Sequence, residues 1–230
     1  MRKIRHSFVK NLANGWERGS FAAKLRQRRF DLFLSILEQF PEPIDILDIG
    51  GQENFWKVVG TDHKKIQSVT LLNLWKEPTS LPKLKSIVGD ARDLHALGNK
   101  SVEMIFSNSV IEHVGGFREQ QRMAQEIQRV GKNFFIQTPN RYFPLEPHFL
   151  FPFFQFLPDN IRAYFHSKWN LGWWERNSNY FEALAEVESI RLLTKKELQF
   201  LFKNSQIYKE KIFGWTKSIV VYKKLKIDAK

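Results

Sequence analysis

The stretch ILDIGGQENFW, residues 46–56, decides the fold. An apolar run ends in an acid at Asp48, two glycines follow at Gly50 and Gly51, and polar residues then give way to aromatics. Such a run has the length of a strand, and a glycine pair after it turns the chain tightly and lets a ligand approach the backbone. Four more short apolar runs come later: SVTLLNL (68–74), SIV (86–88), VEMIFSN (102–108) and NFFIQT (133–138). Continuous rather than alternating runs suit strands covered on both faces, as in a parallel sheet. Helical patterns separate several of them. The clearest is FREQQRMAQEIQRV, with Met123, Ile127 and Val130 on one face. The alternation predicts an α/β, doubly wound, mostly parallel sheet.

Residues 1–19 are polar and basic, a loosely ordered lead-in, and Ser20 is placed to cap a helix carrying Phe21, Leu25, Phe30, Phe33, Leu34 and Leu37. Pro41 and Pro43 stop that helix. The link from Leu74 to Ser86 has two prolines and no helical pattern, so the layer there is expected to be thin. Residues 139–193 form a long aromatic insertion within a single domain spanning 20–230. TKKELQFLFKN then reads as a helix with Thr194 and Glu197 as a capping box. IYKEKIFG and KSIVVYKK follow as an antiparallel hairpin joined at Trp215–Thr216.

Composition narrows the function. The 230 residues contain no cysteine, which excludes disulfides and thiolate metal sites and fits a reducing compartment, the cytoplasm. No metal site is expected. The N-terminus lacks the continuous apolar core of a signal peptide, and FPLEPHFLFPFFQFLP is too interrupted by proline to span a bilayer. The net charge of +12 fits basic tails, an anionic membrane surface or a nucleic acid, and charge alone does not choose.

In an open parallel sheet, ligands bind beyond the carboxyl ends of the strands. Here those ends carry Asp48, Asn73, Asp90, and the run Ser107, Asn108, Ser109, with Glu112 and His113 just beyond. The first loop is not a dinucleotide fingerprint, since Gln52, Glu53 and Asn54 stand where further glycines belong, and no Gly-Lys-Ser/Thr phosphate loop is present. Glu53 beside the loop argues for a ligand without phosphates. Each residue alone has a plain structural role open to it: Asp48 as a cap of the turn, Asp90 as a helix cap, His113 as a satisfied helix residue. Together they describe a cleft for a polar, uncharged or cationic ligand with a sugar and a base.

LDIGGQENFW, VGDARDL and VEMIFSNSVIEHV resemble successive motifs of the class I S-adenosylmethionine-dependent methyltransferases, of the broad small-molecule kind. The likeness covers about residues 44–138. It implies a Rossmann-like sheet of seven strands with an antiparallel C-terminal strand, and S-adenosyl-L-methionine as cofactor. By this resemblance Asp48, Gly50 and Gly51 contact its amino acid end, and Asn73 faces the ribose. Asp90 and Ala91 border the adenine, and Ser107, Asn108 and Ser109 line the floor near the methyl group. Asn73 departs from the acidic residue usual there, and the first loop is short of glycine.

Methyl transfer from a sulfonium depends mostly on positioning, and a base is needed only for a poorly acidic acceptor. His148, in the aromatic insertion, and His113 are the candidate bases. The expected acceptor is a small or lipid-linked organic molecule, methylated at oxygen, with peripheral contact to an anionic membrane as one reading of the insertion. An acceptor lid and ordinary core are the others. Two alternatives stand beside this: a catalytically silent binding scaffold, motivated by Asn73, and a nucleic-acid methyltransferase or binder, motivated by charge. The latter lacks an Asn-Pro-Pro-Tyr type tetrapeptide after the fourth strand. The oligomeric state is not legible.

Overall fold

The first apolar run forms strand β1 (Ile44–Ile49), and its side chains alternate between two buried faces. Ile46 packs with the aromatic cluster on one side of the sheet, and Leu47 and Ile49 pack with the aliphatic cluster on the other. The same division splits β4 (Val102–Asn108), where Met104 and Phe106 face one cluster and Ile105 the other. Both faces are apolar, which is why the runs are continuous in sequence.

The computed structural model describes residues 21–223. The basic lead-in and the Ser20 cap lie outside them. Helix α1 (Phe21–Leu37) and α2 (Glu53–Val59) cover the aromatic face through Phe30, Phe33 and Trp56. On the opposite face lie α3 (Phe117–Val130), through Met123 and Ile127, and α6 (Lys195–Leu201), through Leu198 and Leu201. Thr194 and Glu197 form the capping box expected of α6.

The strands β2 (Ile66–Asn73), β3 (Leu84–Val88), β5 (Gly131–Pro139), β8 (Gln206–Ile212) and β9 (Trp215–Tyr222) complete one sheet of order β3-β2-β1-β4-β5-β9-β8. Pairing is parallel from β3 through β5, and β9 is antiparallel to both of its neighbours. Chain order reverses between β1 and β4, so a crevice opens beyond their carboxyl ends. No helix covers the link between β2 and β3, and residues 86–88 of β3 are half-buried or exposed, a thin layer as expected.

The hairpin differs from the sequence reading. Its turn is Phe213–Gly214, two residues earlier than Trp215–Thr216, and Trp215 and Thr216 lie within β9. Phe213 and Gly214 both have positive φ, 46° and 82°, which matches the twist of a two-residue hairpin turn. Phe213 is almost fully exposed, so its ring gave a false strand signal.

The insertion begins at Asn140, since β5 runs through Pro139. It contains a small ribbon, β6 (Leu145–Glu146) and β7 (Phe151–Pro152), then α4 (Asp159–Lys168) and α5 (Tyr180–Glu188). Its aromatics divide. Phe149 and Phe154 build a third core with Leu171, Val187, Ile190 and Leu192, whereas Tyr142, Phe153, Phe156, Tyr164 and Trp169 are exposed. Among the described residues no helix is long and apolar enough to cross a membrane.

Candidate functional site

The crevice at the β1–β4 reversal holds a cavity of about 280 Å³. Gly50, Asn73, Asp90, Ala91, Ser109 and His113 line it, with Gln52, Trp75, Arg92, Val110 and Val114. Residues from four strand ends thus meet in one place.

The floor is set by the glycine pair. Gly50 has φ of +72°, and a Cβ there would strike Val110. A Cβ on Gly51 would collide with the carboxylate of Asp48. Asp48 is buried at 2% exposure beneath the loop and accepts a hydrogen bond from the Trp56 indole at 2.7 Å. Burial pushes its pKa up to about 8, against the pull of the Trp56 hydrogen bond. Asp48 therefore supports the loop from below and is not among the residues that line the cavity.

Asn73 donates its side-chain amide to the Gly51 carbonyl at 2.8 Å. That bond fixes the loop, and Asn73 lines the cavity wall. Asp90 is clasped by Arg92, whose Nη2 stands 2.6 Å from Oδ2, and the Arg92 N–H donates to Asp90 Oδ1 at 2.9 Å. The Arg92 hydrogen bond holds the Asp90 pKa below its ordinary value against the opposing effect of burial. The pair is nearly neutral as a unit, so this wall offers polar atoms without strong net charge.

Three residues from the β4 end behave differently from one another. Ser107 is buried and donates to the Ile49 carbonyl at 3.1 Å, joining β4 to β1. Asn108 keeps Oδ1 buried without a hydrogen-bond partner. Ser109, at φ of 57°, lines the cavity and donates to Gln137 Oε1 at 2.9 Å.

Glu53 does not face the crevice. Its carboxylate accepts from the Ser80 N–H and hydroxyl and from the Leu81 N–H, and pairs with Lys57. It anchors the link between β2 and β3, so its charge says nothing about phosphate in the ligand, contrary to the sequence argument.

The two histidines come together at the cavity edge. His113 Nε2 and His148 Nε2 are 3.2 Å apart, with ring planes at 89°. His148 Nδ1 stands 2.7 Å from Glu146 Oε1, and the other Glu146 oxygen accepts the N–H groups of His148 and Phe149. Burial lowers the His148 pKa, but the Glu146 hydrogen bond and the charges of Glu146 and Glu112 outweigh it and hold it above the ordinary value. Burial and the neighbouring His148 push His113 down to about 4.

Residues 46–133 match the family model described as a methyltransferase domain. Over this stretch the chain carries the pattern of a methyltransferase domain. The CurJ carbon methyltransferase has the same fold, with a TM-score of 0.57 at 7% identity, and the match covers 91% of this chain and 56% of that one. A SAM-dependent methyltransferase from Methanosarcina mazei is also similar, with 16% identity, 84% of this chain and 98% of that one covered, and a TM-score of 0.46. One from Aquifex aeolicus has 11% identity, coverage of 87% and 96%, and a TM-score of 0.46. No curated protein matches the chain by sequence.

The cavity is also lined by residues that the sequence reading passed over. Arg92 follows Asp90 by two positions, and only the fold shows it turning back on that acid. Trp75 stands just beyond β2, 61% exposed at the cavity, and offers a flat apolar face. Its position directly after LLNL was the available signal.

Proposed function

We propose that this chain binds S-adenosyl-L-methionine in the 280 Å³ cavity and transfers its methyl group to a small or lipid-linked organic acceptor, at oxygen. The observation that carries this reading is the convergence of Gly50, Asn73, Asp90, Ala91 and Ser109 at the strand-order reversal, in a domain of the methyltransferase family. Gly50 leaves room for the amino acid end above the loop that Asp48 supports. The Asn73 carbonyl accepts from a ribose hydroxyl, and Asp90 and Ala91 border the adenine, with Trp75 as an apolar face beside it. Ser109 lies toward the methyl group, on a floor that Ser107 and Asn108 brace.

In the transfer, the acceptor oxygen attacks the methyl carbon in line with the sulfur. The carbon–sulfur bond breaks and its electron pair stays on sulfur, which leaves as a neutral thioether. Correct alignment supplies much of the rate. His113 closes the acceptor side of the cavity with His148 directly behind it, and the neutral His113 imidazole takes the acceptor's proton in the metal-free chain.

Titration calorimetry with S-adenosylmethionine and S-adenosylhomocysteine tests the reading. Binding of both, weakened by Asn73→Ala, is expected. No heat from either at millimolar concentration refutes it and favours a silent scaffold.

A lipid-linked acceptor is favoured by the exposed aromatic side chains of the insertion, Tyr142, Phe153, Phe156, Tyr164 and Trp169, on a chain of net charge +12. Sedimentation with anionic vesicles, reduced by Phe153→Ser with Phe156→Ser, is the expected result. Equal sedimentation of the double variant argues for a soluble acceptor.

A further inference from the structure

The histidine pair sits beside a buried carboxylate that is only half used. Glu112 is fully buried in the 3-10 turn Ile111–His113. Its Oε2 accepts from the Thr138 hydroxyl at 2.9 Å, and its Oε1 has no hydrogen-bond partner. Leaving an oxygen of a carboxylate unpaired in a dry place is costly, and such an atom calls for a ligand. Glu112, His113 and His148 each offer a ligand atom, and these atoms lie within 4.8 Å of one another.

We propose that Glu112, His113 and His148 form a binding site for a divalent transition-metal ion, zinc by preference, at the acceptor edge of the cavity. Two imidazole nitrogens bound to one tetrahedral zinc, each at about 2.0–2.1 Å, stand roughly 3.3 Å apart. The observed Nε2–Nε2 separation is 3.2 Å. Two histidines and one carboxylate leave open positions on the ion, and two imidazoles select against magnesium and calcium. Glu146 completes the arrangement from outside. It takes the Nδ1 of His148 and two backbone N–H groups, so the ring is held with Nε2 toward His113. A carboxylate on the far nitrogen of a metal-bound histidine is the usual support of such a site. Metal binding requires both Nε2 atoms free of protons, so any proton held there is released to solvent.

The site's role rests on the proposed methyl transfer: with the ion bound, both Nε2 atoms are ligands and no longer accept a proton, so a hydroxyl bound at an open position is acidified by the ion and loses its proton to water as its oxygen attacks the methyl carbon. The site itself is tested without cofactor, so its failure leaves the methyltransferase reading standing. The full chain is stripped with chelator and titrated by calorimetry with zinc chloride alone, then with magnesium chloride. Cobalt(II) absorption is recorded in parallel.

One zinc per chain with micromolar affinity is expected, with magnesium at least tenfold weaker and a visible cobalt band. His113→Ala and His148→Ala should each abolish the cobalt band, and Glu146→Gln should weaken zinc about tenfold. Circular dichroism confirms folding of each variant. His113 is the most solvent-accessible of the three ligands, so its replacement is the safest of the set. Absence of stoichiometric zinc, magnesium binding as tightly as zinc, or unchanged affinity in His113→Ala overturns the proposal and leaves a metal-free histidine pair.

Discussion

Replacing Asp48 by Asn should make the fold more stable in neutral and mildly alkaline solution. The Asp48 carboxyl is 2% exposed and accepts one hydrogen bond, from Trp56. Burial raises its pKa to about 8 against the effect of that bond. In the unfolded chain the same group loses its proton near ~3.9. Between those values the native state holds a proton that the unfolded chain lacks. Native stability therefore falls as pH rises, by about 1.4 kcal/mol per pH unit, and levels off above pH 8. From pH 5.5 to 7.5 the Asp48 contribution to that loss is about 3 kcal/mol. Asn keeps an oxygen for the Trp56 N–H and never ionises, so it removes the slope. The assay is urea unfolding of both proteins at the two pH values. Taking the difference between proteins cancels the other titrating groups, His148 among them. The variant should lose about 3 kcal/mol less than the parent over this interval. If both lose stability equally with pH, the carboxyl is not the buried acid described here and the account of the loop fails.

Other perturbations follow from the same geometry. Gly51→Ala drives a Cβ into the Asp48 carboxylate, so a loss of about 1–3 kcal/mol in urea unfolding is expected, together with weaker cofactor binding in calorimetry. Trp56→Phe keeps the ring but removes the indole N–H, leaving Asp48 without its donor, and thermal unfolding should show a loss of about 1–3 kcal/mol. Thr194→Ala breaks the capping box of α6 and should cost about 1 kcal/mol in the same measurement, leaving cofactor affinity unchanged.

Much of the sheet was legible because its residues follow a local rule. IDILDI and VEMIFSN coincide with β1 and β4, and FREQQRMAQEIQRV with α3, since continuous apolar runs and a 3.6-residue period each have one common explanation. The position of the crevice followed from the strand ends. What escaped depends on side-chain direction. Asp48 and Glu53 flank the glycine turn, yet one points beneath the loop and the other toward Ser80, and sequence spacing cannot show that. The insertion resisted for another reason. Its prolines and aromatics obey no period, so Phe149 and Phe153 look alike in sequence, although one is core and the other exposed. The meeting of Glu112 and His113 with His148 is tertiary, created when the insertion folds back over the β4 end.

That fold-back has a consequence for how the chain can change. The insertion leaves the sheet at Asn140 and returns at Leu193, and those two residues are bridged, with the Arg141 N–H on the Leu193 carbonyl at 3.0 Å. Departure and re-entry are neighbours, and the intervening segment packs around Phe149 and Phe154 at its own centre. Such a cassette can be exchanged for a longer, shorter or differently shaped one while the strand ends that line the cavity stay where they are. The insertion and the sheet that carries it are thereby free to diverge at separate rates along one polypeptide.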